Sequence, residues 1–559
     1  LRIDLAVYII IKMKKDSRKV MALMLLAAMT ASMTAGCSGK SGETTSTTAA
    51  SQAAGTEAAA TEAATESGLE GSLISAEPKE FTIFDNFNNM PFDSNWQVWQ
   101  EVQKRTNIGL KGTVALTNSN EDEAFNLMLS SGQLADIISY KDSSELEKLG
   151  RDGGLIPLND LIDQYAPHIK AVMEEDDRFR QACYSLDGNI YYIPKNQELL
   201  SAEYWWIRKD WLDKLGLEVP TTVDELHDVL YAFRNEDPNG NGQKDEVPLF
   251  DRAGWKMPEE YLYLWDTSTT FYPRDGKMTF EPLEENFKTG VKGMIQWYEE
   301  GILDPEFFTR GSSARDTLLS GNLGGCTHDW VSAGNYNTSL ADAIPGFEMV
   351  PFAPPADQNG NVKERVSRYP GAGWGISSMC SDPETVIKFM DYFFTEEGDA
   401  LMNWGIEGDT YTVNADGTRQ FTDKVLKSEL TPIGYLRSIG SQYRIGMCQD
   451  GDYEKAVMTE IGKEASDMYD SHPEWFGTDM PPYADGEIEL KYTAEDDTEY
   501  KNIMASIQPY VEEKFQSWVL GVNDFEADYD DFIAELKARG IDRALEINQQ
   551  AYDTYLGKN

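Results

Sequence analysis

From Lys79 onward, short apolar runs alternate with longer stretches in which apolar residues recur every three or four positions. Phe81-Thr82-Ile83-Phe84 predicts a short buried strand. Trp96, Val98, Trp99 and Val102 mark one face of a helix over Asn95 to Thr106. Leu110 to Leu116 predicts a second strand, Asp122 to Ser131 a helix, and Ala135 to Tyr140 a third strand ending on a polar loop. Asp187-Gly188-Asn189 is a turn, and the strand Ile190 to Pro194 after it should stop at its proline. Helices are predicted over Arg208 to Leu215, Thr222 to Phe233, Phe287 to Glu300, Ala314 to Ser320 and Asp382 to Thr395, the last capped by Ser381 or Asp382. Leu323 to Thr327 and Gly375 to Ser378 read as strands, and the tail from Tyr500 is largely helical. Such alternation implies an α/β fold with a mostly parallel sheet covered on both faces.

The first 77 residues follow a different pattern. Met13, the expected true start, opens a basic stretch (Lys14, Lys15, Arg18, Lys19), followed by a small-residue apolar run from Val20 to Met33 and then Thr34-Ala35-Gly36-Cys37. This is the order of an export signal, with an apolar centre too short to span a bilayer. Ser38 to about Glu77 is nearly all Ser, Thr, Ala, Gly and Glu, the composition of a tether. A cysteine at the cut site before such a leash resembles a bacterial lipoprotein. Cys37 is therefore the expected lipidation site, although Thr34 stands where a lipobox usually has Leu. Plain secretion with an ordinary small-residue cut is the alternative.

About 480 residues remain after the tether, enough for two or three domains. Residues 1–37 hold six of the 49 basic and two of the 95 acidic residues, so the rest carries a formal charge of −50. That surface disfavours nucleic acid and anionic lipid. Cys183, Cys326, Cys380 and Cys448 are widely spaced, lack a CxxC pair and are expected to be mostly buried free thiols; three disulfide connectivities remain open.

The sharpest local motif is Asp237-Pro238-Asn239-Gly240-Asn241-Gly242-Gln243-Lys244-Asp245-Glu246. Oxygen-bearing side chains at its first, third and fifth places are followed by Gly at the sixth. Gln243 can offer its carbonyl, and Asp245 and Glu246 can close the shell. This donor set suits Ca²⁺ in a structural role. Pro248 replaces the glutamate of a full EF-hand, and Val247-Pro248-Leu249 reads as a strand rather than a helix. A solvated Asn/Gly turn is the alternative reading.

Together these segments resemble an extracellular solute-binding lipoprotein of a carbohydrate ABC importer. The resemblance covers roughly residues 78 to 559 and rests on Asp187 to Pro194, Trp206 to Leu212, Asp237 to Glu246, Gly373 to Ser377 and Asn403 to Gly408. It is strongest to the long, calcium-containing type similar to oligo-alginate binding proteins and LipO-like lipoproteins, whose calcium loop Asp237, Asn239, Asn241, Gln243, Asp245 and Glu246 match position by position. It implies a two-lobe periplasmic-binding-protein fold of type II with ligand in the cleft. The first lobe would take 78–195 plus about 380–425, and the second 196–379 plus about 426–559, with hinges near Pro194–Leu199 and Ser378–Pro383. The implied partners are an oligosaccharide, the transmembrane subunits of an ABC permease, and the membrane through a lipid anchor on the extracellular face. A monomer is expected.

A sugar ring offers an apolar face and a rim of hydroxyls, so its site needs an aromatic plate edged by polar groups. Asp329-Trp330, Trp374, Trp404 with Glu407, Tyr140, Asn86 and one ring of Tyr204-Trp205-Trp206, taken as Trp205, are the candidates. Each tryptophan also has a plain packing role available. For an acidic sugar, Lys141, Arg208, Arg310 and Arg315 are candidate partners. A neutral oligosaccharide or a peptide is the alternative ligand. Four histidines without HExxH give little basis for a catalytic zinc, and no GxSxG elbow occurs. A glycosidase needs only two carboxylates and stays open as a minor reading, as does a surface adhesin or sensor.

Overall fold

The computed structural model describes residues 73–87, 90–117, 120–252, 258–365, 371–441, 448–476 and 490–556. Cys37 and the signal expected around it lie outside the described residues, as does nearly all of the expected tether. Two sheets organise the chain from Gly68 onward. The first has strand order β14-β4-β11-β3-β1-β2, built from β1 (Lys79–Phe84), β2 (Ile108–Gly112), β3 (Ile137–Ser139), β4 (Ile193–Gln197), β11 (Gly371–Ile376) and β14 (Cys448–Gln449). β1 runs parallel to β2 and β3, whereas β11 lies antiparallel between β3 and β4. The second sheet, order β10-β5-β9-β6, comprises β5 (Glu203–Arg208), β6 (Val247–Leu249), β9 (Gly324–Trp330) and β10 (Met349–Phe352); β7 (Phe271–Arg274) with β8 (Lys277–Phe280), and β12 (Tyr411–Val413) with β13 (Arg419–Phe421), form two-stranded ribbons. Each sheet sits in its own apolar core, giving the two lobes of a periplasmic-binding-protein fold.

Local chemistry sets the elements. Asn120, Thr222 and Asp382 each accept a backbone N–H three residues on, capping the helices Glu121–Ser131, Val223–Asn235 and Pro383–Tyr392. Asp136 takes both the backbone N–H (2.8 Å) and the hydroxyl (2.7 Å) of Thr82, locking β1 in register with the entry to β3. The tail forms three helices, Ala494–Val519, Phe525–Ala538 and Ile541–Tyr555, and packs Trp518 and Phe532 against the second-lobe helix Glu285–Glu299 through Phe287 and Met294. A largely buried bridge ties this tail region to the first lobe: Lys491 Nζ lies 2.6 Å from Glu147 and donates to the Ala182 carbonyl at 2.9 Å.

Several expectations need correction. The strand foreseen to Leu116 ends at Gly112, because β1 stops at Phe84 and offers no further partner. β4 begins at Ile193 and runs through Pro194. Among the described residues β14 pairs only with Asn196 and Gln197, and the register slips opposite, so the proline occupies an edge-like stretch. The lobe boundaries also move. β11 at 371–376 and the stretch holding Leu436, Ile439 and Tyr453 belong to the first lobe's sheet and core, not the second's. Ser378–Pro383 is therefore no hinge: it leads into a first-lobe helix. The chain passes between the sheets after Gln197, after Phe352, and again before the helix Glu460–Asp470, whose Ala465 and Tyr469 pack in the second lobe. Cys183, Cys326, Cys380 and Cys448 are free thiols, the first two buried.

Candidate functional site

The crossovers join one edge of each sheet. In the first lobe this is the carboxyl edge of β1, β3 and β4, followed by Asp85-Asn86, Tyr140 and Glu198. In the second it is the edge where Glu203 of β5 pairs with Trp330 of β9, and where β6 leads into Phe250-Asp251-Arg252. In open α/β sheets a ligand crevice forms outside such strand ends.

Buried polar side chains collect along this edge. Both amide atoms of Asn86 are buried without a hydrogen-bond partner. Asp329 is fully buried between two arginines, Arg252 Nη2 at 2.5 Å and Arg315 Nη1 at 3.2 Å. Burial lowers the proton affinity of the Arg315 guanidinium, and Arg252 adds to that push while Asp329 opposes it. Trp330, next in sequence, is 42% exposed, an unusual position for the largest apolar side chain. Asp329 Oδ1 accepts the Trp330 backbone N–H at 2.6 Å, so the plate and its polar edge are held as one unit.

Not every predicted residue reaches this edge. Trp374 is fully buried on β11 against Phe389 and Phe393. Trp404 stacks on Phe421 at 4.7 Å and donates its indole N–H to Asp450 at 2.8 Å. Both are first-lobe core residues and leave the candidate site. Tyr140 lies at the edge but is fully engaged: its ring stacks on Phe125 at 3.7 Å and its hydroxyl donates to Asp122 at 2.6 Å. Glu407 borders a groove with Arg105, His168 and Lys388. The groove begins near Ile74, whose N–H donates to the Thr106 carbonyl just before β2, at the amino edge of the first sheet. Glu407 therefore faces away from the crossovers. Trp205 is buried against Tyr261, His328 and Phe352 and borders a small second-lobe cavity, while Tyr204 and Trp206 pack on the opposite sheet face.

Among the basic candidates, Arg208 is held by Asp210 and Asn322, Arg310 by Asp304, and Lys141 by Asp122. Arg315 alone of the four stands at the edge. Arg252 was missed, although a charged pair directly after a short strand is a readable signal. Glu203, Glu260, His328 and Glu364 were missed because they come from separate elements.

The loop after the helix Val223–Asn235 is tightly wound. Asp237, Gly240 and Gly242 take positive φ. Asp237 accepts the N–H groups of Asn241 and Gly242 at 3.0 Å, and Asn241 Oδ1 accepts that of Gln243 at 2.7 Å. The amides of Asn239 and Asn241 donate to Asp245. Glu246 is 2% exposed, and burial raises its proton affinity first, with Asp245 and Asp237 adding to it. A buried carboxylate beside two more, in an all-oxygen donor set, fits a hard divalent cation. β6 follows directly, so the loop anchors the strand that delivers Arg252.

The model of the bacterial extracellular solute-binding protein family matches residues 93–400. The fructooligosaccharide ABC transporter substrate-binding protein FusA of Streptococcus pneumoniae is 28% identical over 521 residues, 87% of this chain and 93% of that protein. Lipoprotein LipO of Bacillus subtilis is 25% identical over 346 residues, 59% of this chain and 66% of its own length. Among solved structures, the alginate-binding protein AlgQ2 without calcium ion superposes with a TM-score of 0.72 at 35% identity, covering 87% of this chain and all of that one (100%). These relatives are named as binding proteins or a lipoprotein, none as an enzyme. With more than half its length matched and the two-lobe architecture in place, the chain belongs to the bacterial extracellular solute-binding protein family.

Proposed function

We propose that this protein captures an oligosaccharide between its lobes and delivers it to the transmembrane subunits of an ABC importer, without altering the sugar. The observation that carries the reading is the exposed Trp330 fixed to Asp329 at the crossover edge, in a chain of a solute-binding family. Trp330 is the plate for a sugar face; Asn86, Asp329, Arg252 and Arg315 supply polar groups for its hydroxyls. Closure is a hinge motion, driven by contacts made only in the closed state. Three of the four basic candidates for an acidic sugar are occupied elsewhere, which favours a neutral one. The anchor is a lipid on Cys37, and Ca²⁺ held by Asp237, Asn239, Asn241, Gln243, Asp245 and Glu246 has a structural role. AlgQ2, described by its calcium-free state, supports this last point.

Titration calorimetry against neutral and acidic oligosaccharides, followed by chromatography of the recovered ligand, tests the reading. Saturable one-to-one binding with intact sugar is expected. Shortened sugar would indicate a glycosidase, and peptide binding without sugar binding would overturn the ligand class.

A further inference from the structure

We propose that Glu203, Glu260 and His328 form a site for one divalent transition metal of the zinc class, inside the second lobe and separate from the 237–246 loop. The three residues come from β5, the 3₁₀ segment Pro258–Trp265 and β9. One ligand atom from each lies within 4.8 Å of the other two. Trp205 pairs with His328 and Glu203 with Trp330, so Glu203 and His328 share one face of the sheet, and the 3₁₀ segment brings Glu260 over that face. Tetrahedral metal–ligand bonds of roughly 2.0–2.2 Å set donors about 3.3–3.6 Å apart, so His328 Nδ1 and Glu260 Oε1, now 2.7 Å apart, open slightly while the wider pairs draw in, both by small side-chain rotations.

The surroundings of His328 point to the same occupant independently. Its Nδ1 lies 2.7 Å from Glu260 Oε1, while its Nε2 lies 3.1 Å from Glu364 Oε2, a carboxylate whose side chain is 3% exposed. A ligand histidine is normally oriented in this way: one nitrogen turned to the metal and the other donating its N–H to a buried carboxylate. The adjoining cavity, lined by Trp205, Glu260, His328 and Glu364, offers about 20 Å³, room for one water-sized fourth ligand. A nitrogen donor and only two carboxylates favour a transition metal over Ca²⁺, which prefers a larger all-oxygen shell. The metal would fix the β9 end that carries Asp329 and Trp330.

The test is calorimetric titration of untagged protein with zinc chloride, in saturating calcium so that the loop and the acidic surface are already occupied. One zinc per chain is expected, weakened roughly tenfold or more by Glu260→Gln and by His328→Asn, and unchanged by Glu246→Gln. No saturable zinc binding, or equal binding in the wild type and both triad variants, would overturn the site. Should a variant fail to fold, anomalous diffraction at the zinc edge from wild-type crystals decides. A peak at His328 supports the proposal, and peaks elsewhere refute it.

Discussion

The 237–246 loop and the Glu203–Glu260–His328 cluster both gather ligand atoms in the second lobe, yet they are built in opposite ways. The loop takes every donor from ten consecutive residues and winds them with glycines at positive φ. The cluster draws one donor from each of three elements and exists only once the sheet has formed. A contiguous site can be read from spacing and can unfold locally. An assembled one is silent in the sequence and shares the fate of the core. The crossover edge, with Asn86 from one lobe and Asp329 and Trp330 from the other, is of the assembled kind.

The largest expected effect breaks the contiguous site alone. Saturating calcium at a hundred times its dissociation constant stabilises a native state by about 2.7 kcal/mol. Adding calcium to metal-free protein should therefore raise the melting temperature by several degrees in differential scanning calorimetry. Glu246→Gln should remove that dependence while making the calcium-free protein more stable, because it deletes a buried carboxylate crowded by Asp245 and Asp237. A variant still stabilised by calcium would show that the calcium sits elsewhere.

Next in size is the assembled edge. Trp330→Ala should weaken oligosaccharide binding about tenfold or more, on the order of 1.4 kcal/mol, and leave the melting temperature nearly unchanged, since the ring is already 42% exposed. Trp404→Phe should do the reverse, because its indole is committed to Phe421 and Asp450. A loss of affinity in Trp404→Phe with unchanged stability would put that ring back at the ligand.

A smaller effect comes from a third cluster, assembled from like charges. Burial, then Asp450 and Glu198, push the Asp399 carboxyl up to about 8. The folded state thus holds a proton that the unfolded chain, near the ordinary aspartate value of 3.8, has released. Stability from this group falls as pH rises from about 4 to about 8. Asp399→Asn should accordingly stabilise more at pH 8 than at pH 5 in denaturant melts, and an equal gain at both would remove the assignment. Smallest of all, Glu407→Ala should leave sugar affinity unchanged by calorimetry, because that residue borders the groove at the far edge of the first sheet.

How much was legible follows the same division. Period-2 and helical spacing located most elements, since those signals are local: β1 and the helices Val223–Asn235 and Ala314–Ser320 fall where the apolar pattern puts them. Strand ends and lobe boundaries depend on partners hundreds of residues away. Gly371 to Ile376 carries no sign that it inserts between β3 and β4, so the expected lobe boundary near 379 falls after a strand that already pairs in the first sheet. Among the tryptophans, the informative neighbour was Asp329 rather than glycine. Gly373 is glycine because a Cβ there would lie 1.7 Å from the Ile193 carbonyl oxygen, a packing reason that accompanies a core ring and not a binding one.

The antiparallel β11 has one more consequence, for the order in which the molecule can be made. It lies between β3 and β4, so those two strands have no sheet contact until residues 371–376 arrive. A chain made amino end first cannot complete the sheet of its leading half early. The first lobe's sheet therefore closes through pairings between strands far apart in sequence, and such pairings form slowly.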